Sequence, residues 1–286
     1  MKNFKSRRSI KIDFAQIDDH QDHSAINLVD IIKSADAAPD EARAGGDLIH
    51  VSSIINDFCP RREWLKREIG YSVPRFVNGA LRVVWKLGRS AEEHVRDQLL
   101  TTMRGNAFGR WACDRCDAVE EEARQYFFKQ CECGGKFDRY VEAQIVDEET
   151  GVTGSVDFVW IHRGFFNIVE IKSMNKRDFE ALTKCKADHM NQAEYYRWLY
   201  HQNGFKVNRA EVIVVAKDYI VGSIYKSFAS ERVTTARPLI VSATKDDVEL
   251  ARGDELPPRI SQCSSPSSPR AKVCDGCSLC FSMPSD

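Results

Sequence analysis

Residues 153–175 read TGSVDFVWIHRGFFNIVEIKSMN: two apolar runs rich in β-branched and aromatic residues, joined at Arg163-Gly164. That is the pattern of two strands and a tight turn. Asp157 stands in the first run, and Glu170 and Lys172 stand in the second. Burying a charge is costly unless it is paired, so three charged groups in such strands point to a site. Their parity can be worked out. A two-residue turn at Arg163-Gly164, with glycine supplying positive φ, pairs His162 with Phe165 and sets Asp157 opposite Glu170. A four-residue loop gives the same register, whereas a three-residue loop puts the acids on opposite faces. Lys172, two residues on, shares the face of Glu170. Two carboxylates a strand spacing apart repel unless a cation lies between them. A hard divalent ion such as Mg²⁺ or Mn²⁺ suits oxygen ligands, and it would activate water and shield a phosphate while Lys172 orients the nucleophile or stabilises charge. The alternative is a buried Lys–Glu pair beside an unrelated Asp, but such pairs stabilise poorly.

Around this stretch, 286 residues with 43% hydrophobic content suffice for one main domain with insertions, or two small domains. The formal net charge of −1 gives no overall nucleic-acid signal, so any such surface is local. No apolar run approaches the roughly 18–20 residues of a membrane span, and a soluble protein without a membrane partner is expected. The start, MKNFKSRRSIKIDF, has no apolar signal core, although it is basic enough to leave an organellar transit peptide as an alternative. Ten cysteines without a secretion signal argue for metal rather than disulfides.

Residues 1–47 are polar and read as a poorly ordered leader. Within HVSSIINDFCPRREWLKREIGY, Ser52 or Ser53 can cap a helix that breaks near Cys59-Pro60. Leu87, Ala91, Val95 and Leu99 form a helix stripe, with Ser90 and Glu93 as a capping box if the helix starts there. Strands are predicted at RYVEAQIVD, GVTGSVDFVWIH and FFNIVEIKS. The helix KADHMNQAEYYRWLYHQNG then leads through Gly204 to the strand AEVIVVAKD, a unit that favours a right-handed parallel crossover. IYKSFAS adds an edge strand, and residues 230–250 look helical with a break at Pro238. A four-residue turn at Glu148–Gly151 would place Glu142 opposite Asp157 as a supporting acid. The fold class is thus α/β, a mixed sheet flanked by helices with two cysteine-bearing appendages.

The first appendage, residues 111–137, holds CDRC and CECGG: Cys113, Cys116, Cys131 and Cys133. Two close thiol pairs converge on a tetrahedral Zn²⁺, with Gly134-Gly135 permitting the tight turn. So short a segment cannot bury a core unaided, and the metal does that work. Free structural cysteines are the alternative. Arg110, Trp111, Arg115, Arg124 and Lys129 would let this zinc ribbon touch DNA, unless they form only a solvated face. Arg61, Arg62, Lys66 and Arg67 in CPRREWLKRE would line a path for a phosphate backbone, against the same alternative. The second appendage, residues 263–286, joins the linker CSSPSSPRAK to CDGCSLCF.

GSVD with EIK resembles the signature of the PD-(D/E)xK nucleases. GRSAEEH resembles the helical Gly–His motif of their RecB-like branch, and QAEYY its Q-x-x-x-Y motif. Cys59 with the C-terminal cysteines resembles the iron–sulfur members, the CRISPR-adaptation and AddB groups. The resemblance spans roughly residues 50–285 without the 111–137 segment. It implies a restriction-endonuclease-like nuclease domain over 48–286 and a prokaryotic or phage-infected cytoplasm. It also implies that His94, Asp157, Glu170 and the Ile171 carbonyl hold Mg²⁺ or Mn²⁺, with Lys172 assisting the water. Gln192 and Tyr196 would position DNA or the metal site. Read from the sequence alone, His94 could equally be a core residue and Gln192–Tyr196 a surface pair. Cys59, Cys274, Cys277 and Cys280 would hold a [4Fe–4S] cluster. The relatives leave a longer gap before the last cysteine, which keeps zinc, or a substitution by Cys263, as alternatives.

The function so implied is a metal-dependent DNA exonuclease acting on single-stranded or frayed ends. Its partner is DNA, with a homo-oligomer or a recombination or repair protein as further candidates. Rival readings are an end-trimming subunit of a larger complex, a catalytically silent DNA-binding module, and a zinc-ribbon adaptor.

Overall fold

The computed structural model describes residues 48–283 except 56–57, 69–78, 104, 125–129, 219–221, 231–244 and 275. The leader and the expected break at Pro238 lie outside the described residues. The chain opens with β1 (Ile49–His50), α1 (Val51–Ile55), α2 (Pro60–Glu68) and α3 (Gly79–Thr102). Pro60 begins α2, a position where its missing N–H costs nothing. Because α3 is already helical by Gly79, no helix begins at Ser90 and the expected capping box does not form.

Two sheets follow. In the larger, β2 (Ala107–Cys113), β3 (Val119–Arg124), β7 (Phe158–His162), β8 (Phe165–Met174), β9 (Val207–Ala216) and β10 (Tyr225–Ala229) run in the order β10-β9-β8-β7-β2-β3, and β4 (Phe137–Val141) also pairs with β2. In the smaller, β5 (Ala143–Asp147) is antiparallel to β6 (Val152–Val156), and β1 lies parallel on the other side of β6. The mixed sheet flanked by helices matches the expected class. Between β8 and β9 run α4 (Lys176–Ala181) and α5 (Ala187–Gln202), and β8 and β9 are parallel, as the strand–helix–strand pattern requires. The chain ends with α6 (Lys245–Arg252), α7 (Pro269–Val273) and α8 (Cys277–Ser282).

The β7–β8 hairpin closes at Arg163-Gly164, where both residues take positive φ, 50° and 82°. His162 pairs with Phe165 and Phe158 with Val169. One step further along this register sets Asp157 against Glu170. The β5–β6 loop has four residues, so Ala143 pairs with Val156, and the next step sets Glu142 against Asp157. Glu142 and Asp157 are each the single residue at which the chain leaves one sheet for the other, between β4 and β5 and between β6 and β7. Both corners therefore open at one level beside β8.

Three apolar clusters hold the layers. Val51, Ile54, Val152 and Val156 pack on Tyr195, Tyr196 and Leu199 of α5. Met174, Phe179, Ala193 and the β9 residues Val212 and Val214 form a second cluster. Val95 of α3 packs with Trp111, Phe158, Val169 and Ile171 in the third. Alternation along β8 sends Val169 and Ile171 to this α3 side, while Glu170 and Lys172 take the opposite face.

Gly154 is fixed by a close approach. A Cβ there would lie 2.2 Å from Cε1 of Tyr196 and 3.1 Å from Cγ2 of Val51. The glycine of GSVD thus makes room for the aromatic ring of the Q-x-x-x-Y motif. Gly154→Ala should destabilise the fold by about 1–3 kcal/mol, the range for overpacking a closed core. Urea denaturation should show a lower midpoint, with a smaller loss in a Tyr196→Ala background. An unchanged midpoint would mean that the ring yields without cost.

Candidate active site and cysteine centres

Glu170 is 2% exposed in the middle of β8. Its Oε1 accepts a short hydrogen bond from Lys172 Nζ, while its Oε2 is buried with no hydrogen-bond partner. Asp157 turns its Oδ2 to the backbone N–H of Ile171, 2.7 Å away. Burial, and then the charge of Glu170, hold Asp157 well above the usual carboxylate range, against the pull of Lys172 and the Ile171 N–H. Burial likewise pushes Glu170 up, with Lys172 opposing it. For Lys172 burial works downward, but Glu170 and Asp157 outweigh it and keep the ammonium charged. One ammonium thus faces the buried Glu170 and the half-buried Asp157, and an unpartnered Glu170 oxygen stands beside it. The oxygens are donor atoms that a hard divalent cation could take, and the missing positive charge is what such an ion would supply.

Further acids surround the pair. Glu142 acts on both Asp157 and Glu170 through its charge, and its Oε1 lies 2.8 Å from Arg96 Nη1 of α3. Glu92 accepts from the Ser173 N–H at 3.0 Å and from its hydroxyl at 2.9 Å, tying α3 to β8. Its charge also reaches Glu170 and Lys172. His94 stands elsewhere on α3. It is exposed, and its Nε2 lies 3.0 Å from Gln98 Nε2. Neither His94 nor Glu92 nor Glu142 forms with Asp157 and Glu170 a three-residue set of ligand atoms within 4.8 Å of one another. Within GRSAEEH the acid Glu92, not the histidine, is what the helix brings to the pair. Position 92 lies three residues before Val95, which packs against β8, so helical spacing carried that signal.

Tyr196 is buried, and its hydroxyl accepts from Gln192 Nε2 at 3.1 Å. Burial, and then the charge of Glu170, push its phenol up. The ring therefore floors the acid site and is not a surface on which DNA could stack. His189 shares this side of α5, three residues before Gln192. Its Nδ1 is buried without a partner, and burial, with Lys172 among its neighbours, draws its pKa down. The sequence reading passed over it, although the spacing 189, 192, 196 marks one helix face.

The four cysteines of the first appendage bring their sulfurs within 4.8 Å of one another, an arrangement that can hold a metal ion. Cys113 and Cys133 are 3.5 Å apart, and Cys116 and Cys131 3.6 Å. The Gly135 N–H, first, and the neighbouring thiols draw Cys133 down to about 7. At Cys116 the Ala118 N–H pulls down, but Cys133 and Cys131 outweigh it and push that thiol up to about 12. The second turn is closed by the Gly134 N–H on the Cys131 carbonyl at 2.8 Å, with Gly134 at φ 80°. This unit is less separate than the sequence suggested. Cys113 ends β2, and Trp111 of the same strand is 1% exposed against Tyr140, so Trp111 is core and offers no stacking platform. The side chain of Arg124 and all of Lys129 lie outside the described residues.

The second centre is a cavity lined by Cys59, Cys263, Cys274, Cys277 and Cys280, with Arg62, Leu65, Ala271 and Phe281 among its walls. Cys59 immediately precedes α2, and the others come from the chain's last segment, so the fold brings Cys59 and the C-terminal run together. Among the described residues, only the first appendage gathers three or more ligand atoms within 4.8 Å of one another, so no three thiols of this cavity lie that close together. Arg61, expected on a phosphate path, is 1% exposed, and its Nη1 donates to the Pro257 carbonyl at 2.8 Å. Arg62 pairs with Glu63 at 2.9 Å. Arg61 thereby fastens the C-terminal segment to α2, and both arginines line the cavity. The expected flexible linker is folded as well, through a 3₁₀ turn at Ser261–Cys263 and α7.

No protein-family model matches the chain, and no curated protein matches it. Among solved structures, a protein designated SSO0001 is similar at 13% identity, over 78% of this chain and 83% of that chain, with a TM-score of 0.35. An alkaline exonuclease from Laribacter hongkongensis is similar at 13% identity, over 71% of this chain and 82% of that chain, with a TM-score of 0.39. No helix among the described residues is long and apolar enough to cross a membrane.

The raised carboxyls make stability depend on pH. A carboxyl whose folded pKa exceeds its unfolded value contributes stability below the unfolded value of about 4, and loses that contribution as pH rises through the folded value. Without added Mg²⁺ or Mn²⁺, the melting temperature should therefore fall as pH rises from about 4 toward neutrality. Added Mn²⁺ should stabilise more at the upper end of that range, because binding requires the deprotonated acids. Asp157→Asn should flatten both trends. A wild-type profile already flat without the ion would contradict the assignment of Asp157 as a raised acid.

Proposed function

We propose that this chain is a divalent-metal-dependent deoxyribonuclease, an exonuclease of the RecB-like PD-(D/E)xK type acting on single-stranded or frayed DNA ends. The observation that carries the reading is the buried Glu170 with the half-buried Asp157, an unpartnered Glu170 oxygen and a charged Lys172 beside it. A buried carboxylate oxygen with no donor calls for a physical explanation, and beside a second carboxylate a bound cation supplies one. Asp157, Glu170 and the Ile171 carbonyl would hold Mg²⁺ or Mn²⁺. When bound, such an ion neutralises charge at a phosphodiester and lowers the pKa of a bound water.

The remaining roles fall to the protein's own groups. Lys172, fixed by Glu170, presents an ammonium to the attacking oxygen and to the charge that grows on the phosphate. Glu92 and Arg96 hold β8 and Glu142 in place from α3. Tyr196 supports the acids from beneath, and the half-buried Gln192 on the same helix face is the DNA-side residue. His94 has no part in this ligand set.

Each cysteine centre has a separate place in the reading. A tetrahedral Zn²⁺ with bonds of about 2.3 Å sets its sulfurs about 3.8 Å apart. The 3.5 and 3.6 Å pairs of the first appendage fit that spacing, which supports a structural zinc. Among the described residues, no three thiols around the Cys59 cavity lie as close as those four, and a [4Fe–4S] cluster held by Cys59, Cys274, Cys277 and Cys280 is the proposal there.

The test is cleavage of end-labelled single- and double-stranded DNA with and without Mn²⁺. Glu170→Gln and Lys172→Ala should each lower turnover by roughly 100-fold or more, while DNA binding, which rests on phosphate contacts elsewhere, stays near wild type. Wild-type turnover in either variant would remove the proposed site. Absence of cleavage by the wild-type protein on every substrate would remove the nuclease reading.

A further inference from the structure

Five cysteines, not four, face the C-terminal cavity. Cys263 is as buried as Cys59, at 8% against 7% exposed. Its backbone is fixed by the 3₁₀ turn, where its N–H donates to the Ile260 carbonyl at 2.8 Å. It is therefore no stray thiol at the end of a linker. The folded segment from Ile260 through α7 carries it to the wall of the cavity.

The five do not stand equally. Cys277 and Cys280 sit one turn apart on α8, while Cys274 precedes it. Cys59 feels the charges of Cys274 and Cys280. Cys263 feels Cys59, Cys274 and Cys280, whereas the charges on Cys277 are those of Cys274 and Cys280. Cys274 and Cys280 are thus neighbours of both Cys263 and Cys277, Cys59 is a neighbour of Cys263, and Cys263 and Cys277 approach from different elements. A four-iron cluster takes four thiolates as its usual set, so one of the five is surplus.

We infer that Cys263 is an iron ligand of this centre, interchangeable with Cys277 at one iron, with Cys59, Cys274 and Cys280 as the constant three. The inference rests on the cluster reading given above. An exchange is balanced within the protein: the incoming thiol releases its proton to solvent, and the outgoing thiolate takes one up. No electron moves. Arg61, Arg62 and Arg259 stand in the wall of the cavity. Arg259 donates to the Cys280 and Met283 carbonyls at 3.1 and 2.9 Å and lies over Phe281. That fixes α8 independently of which thiol is bound.

The experiment measures iron, acid-labile sulfide and zinc per chain in anaerobically purified full-length protein. Wild type, Cys59→Ser, Cys263→Ser, Cys277→Ser and the double variant Cys263→Ser/Cys277→Ser are compared, with far-ultraviolet circular dichroism as the check on folding. The wild type should carry four irons and four sulfides in about equal amount. Each of Cys263→Ser and Cys277→Ser should keep most of that iron. The double variant and Cys59→Ser should lose at least about half of it. If Cys277→Ser alone falls to the level of the double variant while Cys263→Ser matches wild type, Cys263 is not a ligand and the inference is overturned with the cluster intact. Wild-type protein with zinc in place of iron at this centre would overturn the cluster reading itself, and the inference with it.

Discussion

A buried carboxylate, Glu170, and the half-buried Asp157, with one ammonium between the two of them to share, set the terms for the rest of the molecule. The charge of Glu170 raises the proton affinity of Asp157, and burial raises that of both. Lys172 answers only one of the two charges. Such an arrangement is unfavourable by itself, since removing like charges from water costs more than a single counter-charge returns. It persists because its surroundings fix it. The Ile171 N–H holds Asp157, Glu92 ties α3 to β8 at Ser173, and Arg96 restrains Glu142. Tyr196 fills the space left by the side chain that Gly154 lacks. The two corners at Glu142 and Asp157, where strands pass between sheets, open the site beside β8 without breaking either hydrophobic layer.

The cysteine centres solve a different problem, the anchoring of segments far from this core. In the first, four sulfurs meet at the end of β2, and the glycine pair closes the turn that brings Cys131 and Cys133 back to Cys113 and Cys116. In the second, the C-terminal segment returns to α2. It is already tied there by protein contacts, since Trp64 and Arg67 both donate to the Gly253 carbonyl, at 3.0 and 2.6 Å. Among the described residues, no three thiols of the second centre lie as close to one another as the four of the first. A single ion needs its thiolates at one tight distance, whereas a cluster of several metal atoms holds them apart.

Much of the central sheet was legible because strand parity is a strict rule. Once Arg163-Gly164 closes a two-residue turn, the pairing of every residue from Phe158 to Val169 follows, and with it the facing of Asp157 and Glu170. The four-residue turn at Glu148–Gly151 brought Glu142 to the same level by the same arithmetic. Helices obey a looser rule. Local capping chemistry at Ser90 gave a start that tertiary packing overrode, since α3 begins at Gly79. The rotation of that helix about its axis decided that Glu92 and not His94 turns to the acids. Burial was the least legible quantity. Arg61 and Trp111 look like surface chemistry in the chain, but one is drawn in by the Pro257 carbonyl and the other by Tyr140. Both partners are remote in sequence or set by sheet pairing. The serine- and proline-rich segment before Cys274 reads as a linker by composition, yet burial of Cys263 and Ala271 orders it.

The dependence of the fold on that acid pair has a direct thermodynamic signature. Titrating Mn²⁺ calorimetrically into the protein in buffers of different ionisation enthalpy measures both the stoichiometry of binding and the protons released with it. If Asp157 and Glu170 are raised acids that share a divalent ion, one Mn²⁺ per chain should bind with net proton release, and Glu170→Gln should abolish that event. Binding without proton release, or no binding outside the cysteine centres, would contradict it.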